Sequence, residues 1–189
     1  EVMSRGPYSM PTARWGARMG DAQVVDMMTG ALHDPFHNVH MGVTAENVAK
    51  KWGISREDQD ALAVESHRRA SLATREGRFA SQILPIELKS RKGTTTFAAD
   101  EHIRHDATIE DMRKLKPVFA KEDGTVTPGN ASGINDGAAA LVLMERRAAE
   151  ACGLAPLARL VSYAHAGVDP AYMGIGPVPA SRKALEKAG

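Results

Sequence analysis

Three closely spaced histidines are the first residues in the sequence that could do chemistry. His33, His37 and His40 carry imidazoles, and neutral imidazoles are good ligands for zinc. However, Pro35 disrupts the helix that would place His33 and His37 on one face. No cysteine or further carboxylate completes a ligand set at a familiar spacing. The sequence therefore predicts surface or loop histidines at His33 and His37 and no metal site, while His40 is an exception for which a buried histidine satisfied by backbone is one alternative.

Two other features could serve catalysis. Residues 100–106, DEHIRHD, place histidines beside acids as hydrolases do, but no nucleophile that would complete a triad lies nearby in the sequence. The single cysteine, Cys152, has no cationic or histidine neighbour to activate it. We therefore expect Cys152 to be a small residue at a helix end, and we expect no hydrolytic centre.

Residues 124–144, GTVTPGNASGINDGAAALVLM, change character midway. The first half is rich in Gly, Pro, Asn and Ser and predicts a loop. The second half, residues 138–144, is an uninterrupted apolar run and predicts a strand buried on both faces. A loop of small residues that enters a buried strand lets the backbone approach a ligand closely. The pattern alone leaves a tight turn without chemical role as an equal alternative.

Capping residues and glycines predict the elements that position these features. Asp21 is expected to cap a short helix that stops at Gly30, and Thr44 and Ser55 are expected to cap two further helices. Helices are predicted at residues 44–51, 55–76, 145–151 and 179–187, with a short one after Thr108. Strands are predicted at residues 83–89 and 94–97, forming a hairpin, and at 157–165. Residues 1–19 are predicted to be an extended loop.

The composition excludes several classes of protein. With 189 residues and a net charge of +1, the chain can form a sizeable core and gives no electrostatic case for binding nucleic acid or a membrane. One cysteine excludes an intramolecular disulfide framework and fits a reducing compartment. The sequence lacks an apolar run long enough to span a membrane, and it begins without a leader pattern. We expect a cytoplasmic protein.

Residues 125–141, TVTPGNASGINDGAAAL, closely resemble the GNASGxNDGAAA signature of the thiolases, CoA-dependent acyltransferases that make or cleave 3-ketoacyl-CoA. Other segments resemble the same family in the same order. They are EVMSRGPYSMP, HMGVTAENVA, SREDQDALAVESHRRA, IRHDAT, LKPVF and GVDPAYMGIGPVPASRKAL. The resemblance covers essentially the whole chain. Since thiolases are about twice as long, it implies that the chain is the central portion of such a protein.

The resemblance implies an α/β fold, the thiolase fold of two similar α-β-α halves. Residues 1–129 would be the inserted loop domain that caps CoA, with a tetramer-contact loop near its start. Residues 130–153 would complete the N-terminal half, and residues 154–189 would begin the C-terminal half. A homotetramer is therefore expected of the full-length protein.

The resemblance also implies the chemistry, a two-step acyl transfer that condenses two acetyl-CoA to acetoacetyl-CoA, or its reverse thiolysis. The family uses two cysteines, a histidine of a GHP-type motif and an asparagine of an NEAF-type motif, and none of these motifs occurs here. We expect no catalytic residue, no permanent cofactor and no activity from this segment alone. The residues expected to bind CoA or acetyl-CoA are Leu32, His40, Met41, Arg104, Phe119, Ala131 and Ser132.

Individual residues sharpen or weaken this expectation. His40-Met41-Gly42 favours short acyl chains by resemblance, and Ser132 is where the family places a hydroxyl against the pantetheine. The guanidinium of Arg104 suits the phosphates of CoA, although a plain surface ion pair is an equal alternative from the sequence alone. Pro128 and Lys116 depart from residues that some relatives carry.

Two further hypotheses for the function of the chain stay open. One is a CoA-binding or regulatory module without chemistry, and the other is a structural oligomerisation piece that uses the loop at residues 5–19.

Overall fold

The computed structural model describes residues 1–16 and 18–189. These residues form two units, unit 1 from residues 1–48 and 134–189 and unit 2 from residues 49–133. The helices in chain order are α1 Met27–Ala31, α2 Met41–Trp52, α3 Arg56–Arg75, α4 Ile109–Arg113, α5 Arg146–Ala151 and α6 Pro177–Ala188. The strands are β1 Tyr8–Ser9, β2 Val25–Asp26, β3 His33–Asp34, β4 Val39–His40, β5 Ile86–Ser90 and β6 Gly93–Phe97.

The long helix α3 begins as its sequence predicts. The Ser55 hydroxyl accepts a hydrogen bond from the backbone N–H of Asp58 at 3.0 Å, and the Asp58 carboxylate accepts one from the Ser55 N–H at 3.2 Å. This capping box satisfies two N–H groups that the first helical turn leaves without partners. Gly77 follows the helix end with a φ of +68°, which a residue with a Cβ rarely adopts.

Short helix α4 packs against α3 in unit 2. It is capped by Thr108, as predicted, because the Thr108 hydroxyl accepts from the Asp111 N–H at 3.2 Å. The predicted hairpin is confirmed as β5 and β6, which pair antiparallel from Ile86 with Phe97 to Ser90 with Gly93. The helices predicted near residues 145 and 179 are confirmed as α5 and α6, and Cys152 lies at the end of α5.

Two predicted helix starts are wrong. Helix α1 is capped by Asp26, whose carboxylate accepts from the Met28 N–H at 2.9 Å, and not by Asp21. Val25 is already paired with Ser9 in a strand, so the helix begins only after it. Helix α2 begins at Met41, so Thr44 lies inside it and donates from its hydroxyl to the Met41 carbonyl at 2.7 Å.

Neither of the two predicted single strands forms. Residues 138–144 and 157–165 make no ladder with any strand of the described residues, and Leu141 and Val142 are 88% and 86% exposed. An apolar strand is stable only when neighbouring strands satisfy its backbone, and the described chain offers these runs no neighbour.

The start of the chain also differs from its prediction. One extended loop was expected, but residues 1–16 and 18–19 contain strand β1 and two 3₁₀ turns, at Met3–Arg5 and Pro11–Trp15. Ala17, which belongs to that predicted loop, lies outside the described residues.

Buried side chains are few and are mostly polar. In unit 2 the most deeply buried residues are Asp60, Ser71 and Thr127, each 1% exposed or less as a whole residue, beside apolar Met112 and Val126. The interior of unit 2 is therefore organised by hydrogen bonds as much as by apolar packing. No helix in the described part of the chain is long and apolar enough to cross a membrane.

Candidate functional site

A cavity of about 390 Å³ lies within unit 2. Helix α3 contributes His67 to its wall, and the loop before α4 contributes His102, Arg104 and Asp106. The remaining lining residues come from the loop before α4, from α4 itself and from the segment that follows it. They are Ala107, Asp111, Met112, Leu115, Pro128, Gly129 and Ala131. The structure thus brings together Arg104 and Ala131, two of the residues predicted to bind CoA, on one concave surface.

Arg104 is exposed and makes no ion pair with any described residue, so its interpretation as a plain surface ion pair is wrong. Its backbone is held in place, because its N–H donates to Nδ1 of His67 at 3.2 Å. An arginine without a carboxylate partner keeps all its donors available, and its planar fork matches phosphate oxygens. The cavity therefore offers an anion a preformed cationic group.

Two histidines lie beside this arginine. The ring centroids of His67 and His102 are 6.3 Å apart with the planes tilted by 33°. Burial, followed by the nearby His102 and Arg104, lowers the pKa of His67 below its usual value. Since Nδ1 of His67 accepts a hydrogen bond, the neutral ring carries its proton on Nε2.

The acidic residues of the cavity do not cancel this cationic character. Asp111 accepts from Lys114 Nζ at 2.8 Å and from the Thr108 hydroxyl at 2.6 Å, and these contacts, Lys114 first, lower the pKa of its carboxyl. Its charge is therefore balanced locally. Asp106 is exposed, where solvent screens it. The arrangement favours a ligand that carries phosphate next to apolar atoms.

The loop that ends at Ala131 is fixed by the side chain of Asn130. Its Oδ1 accepts from the Thr127 N–H at 2.8 Å, and its Nδ2 donates to the Thr125 carbonyl at 2.9 Å and to the carboxylate of Asp60 at 3.0 Å. The N–H of Ala131 also donates to the Thr127 carbonyl at 3.0 Å. One side chain thus satisfies the turns of the loop and ties it to helix α3.

Asp60 connects this loop to α4. Its other carboxylate oxygen accepts from Arg56 Nε at 2.7 Å, and the same guanidinium donates to the carbonyls of Met112 and Leu115 at 2.6 and 3.0 Å. The Asp60 side chain is 2% exposed and that of Arg56 is 20% exposed. A buried carboxylate is tolerable only when it is paired and hydrogen-bonded in this way. The network Arg56–Asp60–Asn130 therefore sets the shape of the cavity wall.

Glycine is required where this loop approaches its neighbours. A Cβ at Gly124 would overlap the backbone carbonyl oxygen of Ala120, and one at Gly129 would lie 2.5 Å from the side chains of Leu115 and Met112. At Gly124 the obstacle is backbone and cannot rotate away. The small residues of the predicted loop thus allow close approach within the protein as well as next to a ligand.

Three predicted residues lie together in unit 1. The N–H of Met41 donates to the carbonyl of Leu32 at 2.8 Å, and Nδ1 of His40 accepts from the Gly42 N–H at 3.0 Å. Burial, followed by His33, lowers the pKa of His40, and the rings of His33 and His40 meet edge to face at 5.5 Å. All three residues are half-buried. His40 ends β4 and Met41 begins α2, whereas Leu32 follows α1.

The last two predicted residues lie in unit 2 but do not line the cavity. Phe119 is half-buried next to Val118, whose N–H donates to the Val126 carbonyl at 3.0 Å. Ser132 is exposed and directly follows Ala131. In the described ranges no group of three or more histidine, cysteine, aspartate or glutamate side chains could hold a metal. His37 instead contacts Asp34, with 2.9 Å between Nδ1 and the carboxylate.

Sequence reasoning missed the roles of four residues of this site. Nothing near His67 in the sequence marks it as a cavity residue. Arg56 and Asp60, in contrast, are spaced i, i+4 with opposite charges, a signal for a pair on one helix face. Asn130 lies inside the recognised signature, but its role as the anchor of the loop depends on Asp60, which is distant in sequence.

Family models match nearly all of the chain. Residues 1–147 match the model described as thiolase, N-terminal domain, and residues 154–189 match thiolase, C-terminal domain. A beta-ketothiolase, BktB, from Cupriavidus necator is 70% identical over all 189 residues, which cover 48% of its length. The chain thus spans about half the length of the curated relatives it matches.

Solved structures agree with the sequence comparison. The acetyl-CoA acetyltransferase of Bacillus anthracis is 50% identical with a TM-score of 0.89, over the whole of this chain and 48% of that one. Human mitochondrial 3-ketoacyl-CoA thiolase in complex with CoA is 44% identical with a TM-score of 0.88, over the whole of this chain and 47% of that one. These likenesses confirm the fold that the sequence predicts.

Proposed function

Because the chain belongs to the thiolase family, we propose that it is the CoA-binding portion of an acyltransferase that condenses two acetyl-CoA to acetoacetyl-CoA and catalyses the reverse thiolysis. The names of the relatives, a beta-ketothiolase and acetyl-CoA acetyltransferases, support this reaction. The preference for short acyl chains rests on His40, Met41 and Gly42.

The observation that carries the proposal is Arg104, which has no ion-pair partner among the described residues and lies on the wall of a cavity that also contains Ala131. CoA presents a diphosphate and a further phosphate on its ribose, joined to an adenine with apolar faces. Arg104 would bind a phosphate, while Met112, Leu115 and Pro128 supply apolar contact. Phe119 would lie beside the adenine.

His40, Met41 and Ser132 would contact the pantetheine arm that carries the thioester, and Leu32 is proposed as a further CoA-binding residue. Nδ1 of His40 accepts from the Gly42 N–H at 3.0 Å, which holds the ring in place. Ser132 would offer its exposed hydroxyl. A single neutral hydrogen bond of this kind is worth about 1 kcal/mol.

The contribution of these residues to the reaction is positioning. The two cysteines, the histidine and the asparagine that the resemblance assigns to the chemistry have no counterpart among these 189 residues. Contacts with the remote nucleotide hold the thioester near those groups and so raise the rate without touching a reacting atom. We expect the chain by itself to catalyse no turnover.

The same proposal extends to organisation and location. Residues 1–129 would form the inserted loop domain, residues 130–153 the end of the N-terminal half and residues 154–189 the start of the C-terminal half. The full-length protein would be a cytoplasmic homotetramer that uses the loop near the start of the chain.

A calorimetric titration with CoA tests the proposal, with ATP as a control ligand. We expect saturable CoA binding that weakens about 10- to 100-fold in Arg104→Ala, because a charge-assisted hydrogen bond to phosphate is lost. Arg91→Ala is the matched control, since it removes the same charge from the exposed hairpin turn of unit 2. Unchanged binding in Arg104→Ala, or no CoA binding by the full-length protein, would exclude this assignment.

A further inference from the structure

His33 lies among three residues of unit 1 that are proposed to bind CoA. Leu32 precedes it, and His40 is its direct partner in the antiparallel pair of β3 and β4. The N–H of Met41 donates to the carbonyl of Leu32 at 2.8 Å and so closes the chain around this pair. The sequence predicts a surface or loop histidine at position 33, but the residue is half-buried and begins β3. Its ring is therefore placed to act on its neighbours.

The carbonyl of Thr29 fixes the ring of His33. Nδ1 of the ring donates to this oxygen at 2.7 Å, because a carbonyl can only accept and the shared proton must come from the imidazole. The same carbonyl accepts from the Leu32 N–H at 3.0 Å. It belongs to α1, a helix of five residues whose last carbonyls lack partners within the helix. The imidazole thus satisfies a helix end, which in turn holds the ring in one orientation.

The anchored ring of His33 meets the ring of His40 edge to face. The two centroids are 5.5 Å apart and the planes stand at 82°, the arrangement that aromatic pairs prefer. Nδ1 of His40 also accepts from the Gly42 N–H at 3.0 Å. A ring contact and a backbone hydrogen bond therefore act together to restrict the rotation of the His40 side chain.

We propose that His33 is a positioning residue, which holds the imidazole of His40 in the orientation that contacts the pantetheine arm. The proposal rests on the proposed binding of CoA, and His33 itself touches no atom of the ligand. A side chain that is fixed before binding loses less rotamer freedom when the ligand arrives, and affinity rises accordingly. Without His33, the ligand would have to order the His40 ring itself.

Three substitutions separate the two contacts of the His33 ring. His33→Phe keeps a ring edge for His40 and loses the donor to Thr29. In His33→Asn the amide nitrogen can replace Nδ1 as the donor, and the ring is lost. His33→Ala removes both. His37→Ala is the matched control, because it removes an imidazole from the same hairpin, where Nδ1 contacts the carboxylate of Asp34 at 2.9 Å.

The first experiment is a titration of the full-length protein and these variants with CoA, with pantetheine and with the nucleotide part of CoA alone. We expect the dissociation constants for CoA and pantetheine to rise about 3- to 10-fold in His33→Ala. The rise should be smaller in His33→Phe and in His33→Asn, since each retains one contact. Binding of the nucleotide part should stay unchanged, which a general loss of structure would not allow. His37→Ala should bind all three ligands as the wild type does.

A double-mutant cycle tests whether His33 acts through His40. His33→Ala should weaken pantetheine binding in the wild-type background and have no further effect in His40→Ala, because the ring that it positions is then absent. Independent contacts would instead give losses that add.

Four results would overturn the inference. They are wild-type affinity of His33→Ala for pantetheine, wild-type affinity of His33→Asn, additive losses in the double variant, and an equal loss for the nucleotide part, which would show a merely structural residue. If His40→Ala weakens pantetheine binding while the His33 variants bind normally, only this inference fails. If His40→Ala binds pantetheine normally, the contact assigned to His40 in the proposed function fails, and the inference fails with it.

Discussion

The two halves of one sequence motif behave differently in this structure. Residues 125–131 have no regular secondary structure, yet Val126 and Thr127 are buried and Asn130 makes hydrogen bonds to Thr127, Thr125 and Asp60. Residues 138–144 are far more apolar, yet all of them are exposed and none is paired in a ladder. Hydrophobicity and burial are thus inverted between the two.

The difference shows where each half obtains its stabilising contacts. The first half is satisfied by side chains of α3 and by its own turns, all within unit 2. The second half needs strands on either side, because a strand leaves every backbone N–H and C=O to be satisfied by neighbours. The loop is therefore specified by the described residues, whereas the apolar run is not.

The largest expected effect tests the anchor of the first half. Asp60→Ala should lower the free energy of unfolding by about 3–5 kcal/mol, because it leaves Arg56 without its carboxylate partner in a mostly buried position. Chemical denaturation of both proteins measures this. Glu57→Ala is the control, since it removes an exposed carboxylate from the same helix. A loss below about 1 kcal/mol, the range of surface pairs, would mean that the ion pair does not organise unit 2.

Asn130→Ala should have a smaller but clear effect. It removes the oxygen that accepts from the buried Thr127 N–H, and leaving that donor unsatisfied costs about 1–3 kcal/mol. Hydrogen exchange of the Thr127 amide should speed up by the corresponding factor. Asn135→Ala, an exposed asparagine of the same motif, should change neither quantity. Equal effects of the two substitutions would mean that Asn130 stabilises the loop no more than an exposed asparagine of the same motif does.

A pH titration adds a directional test. The pKa values of His67 and His40 lie below their usual value in the folded chain, chiefly because of burial. In the unfolded chain these rings bind protons at higher pH, so folding stability is fully present above the usual histidine pKa near 6.5 and decreases as the pH falls below it. Ring resonances followed by NMR should show midpoints below 6.5 for both, and midpoints at or above that value would contradict the structure.

Elements whose signals are local were predictable from sequence. The capping box of Ser55 and Asp58, the Thr108 cap and the β5–β6 hairpin each depend on residues a few positions apart. The false cap at Asp21 failed because Val25, paired with Ser9, delays the helix. The strand at residues 138–144 failed because periodicity reports what a segment would bury and not whether a partner exists.

In the candidate site, too, some features were predictable from the sequence and others were not. Arg104 and Ala131 were identified by resemblance and meet at one cavity, but their common wall is built by Asp60 and Asn130, which are joined at a separation of 70 residues. Nothing near His67 in the sequence indicates that its ring reaches the Arg104 backbone. Long-range hydrogen bonds of this kind leave no periodic pattern in the sequence, so only the three-dimensional structure shows them.

The smallest expected effect concerns the second half. Leu143→Ser should change the free energy of unfolding of the 189-residue chain by less than about 0.5 kcal/mol, because the leucine is 80% exposed and has little packing to lose. Met112→Ala, at a side chain that is 5% exposed, should cost about 2–5 kcal/mol in the same assay. If Leu143→Ser instead costs more than 1 kcal/mol, and if the cost grows with protein concentration, the apolar run is covered by another copy in solution. The apolar residues 138–144 would then be buried in solution, and their exposure would be a property of the single chain only.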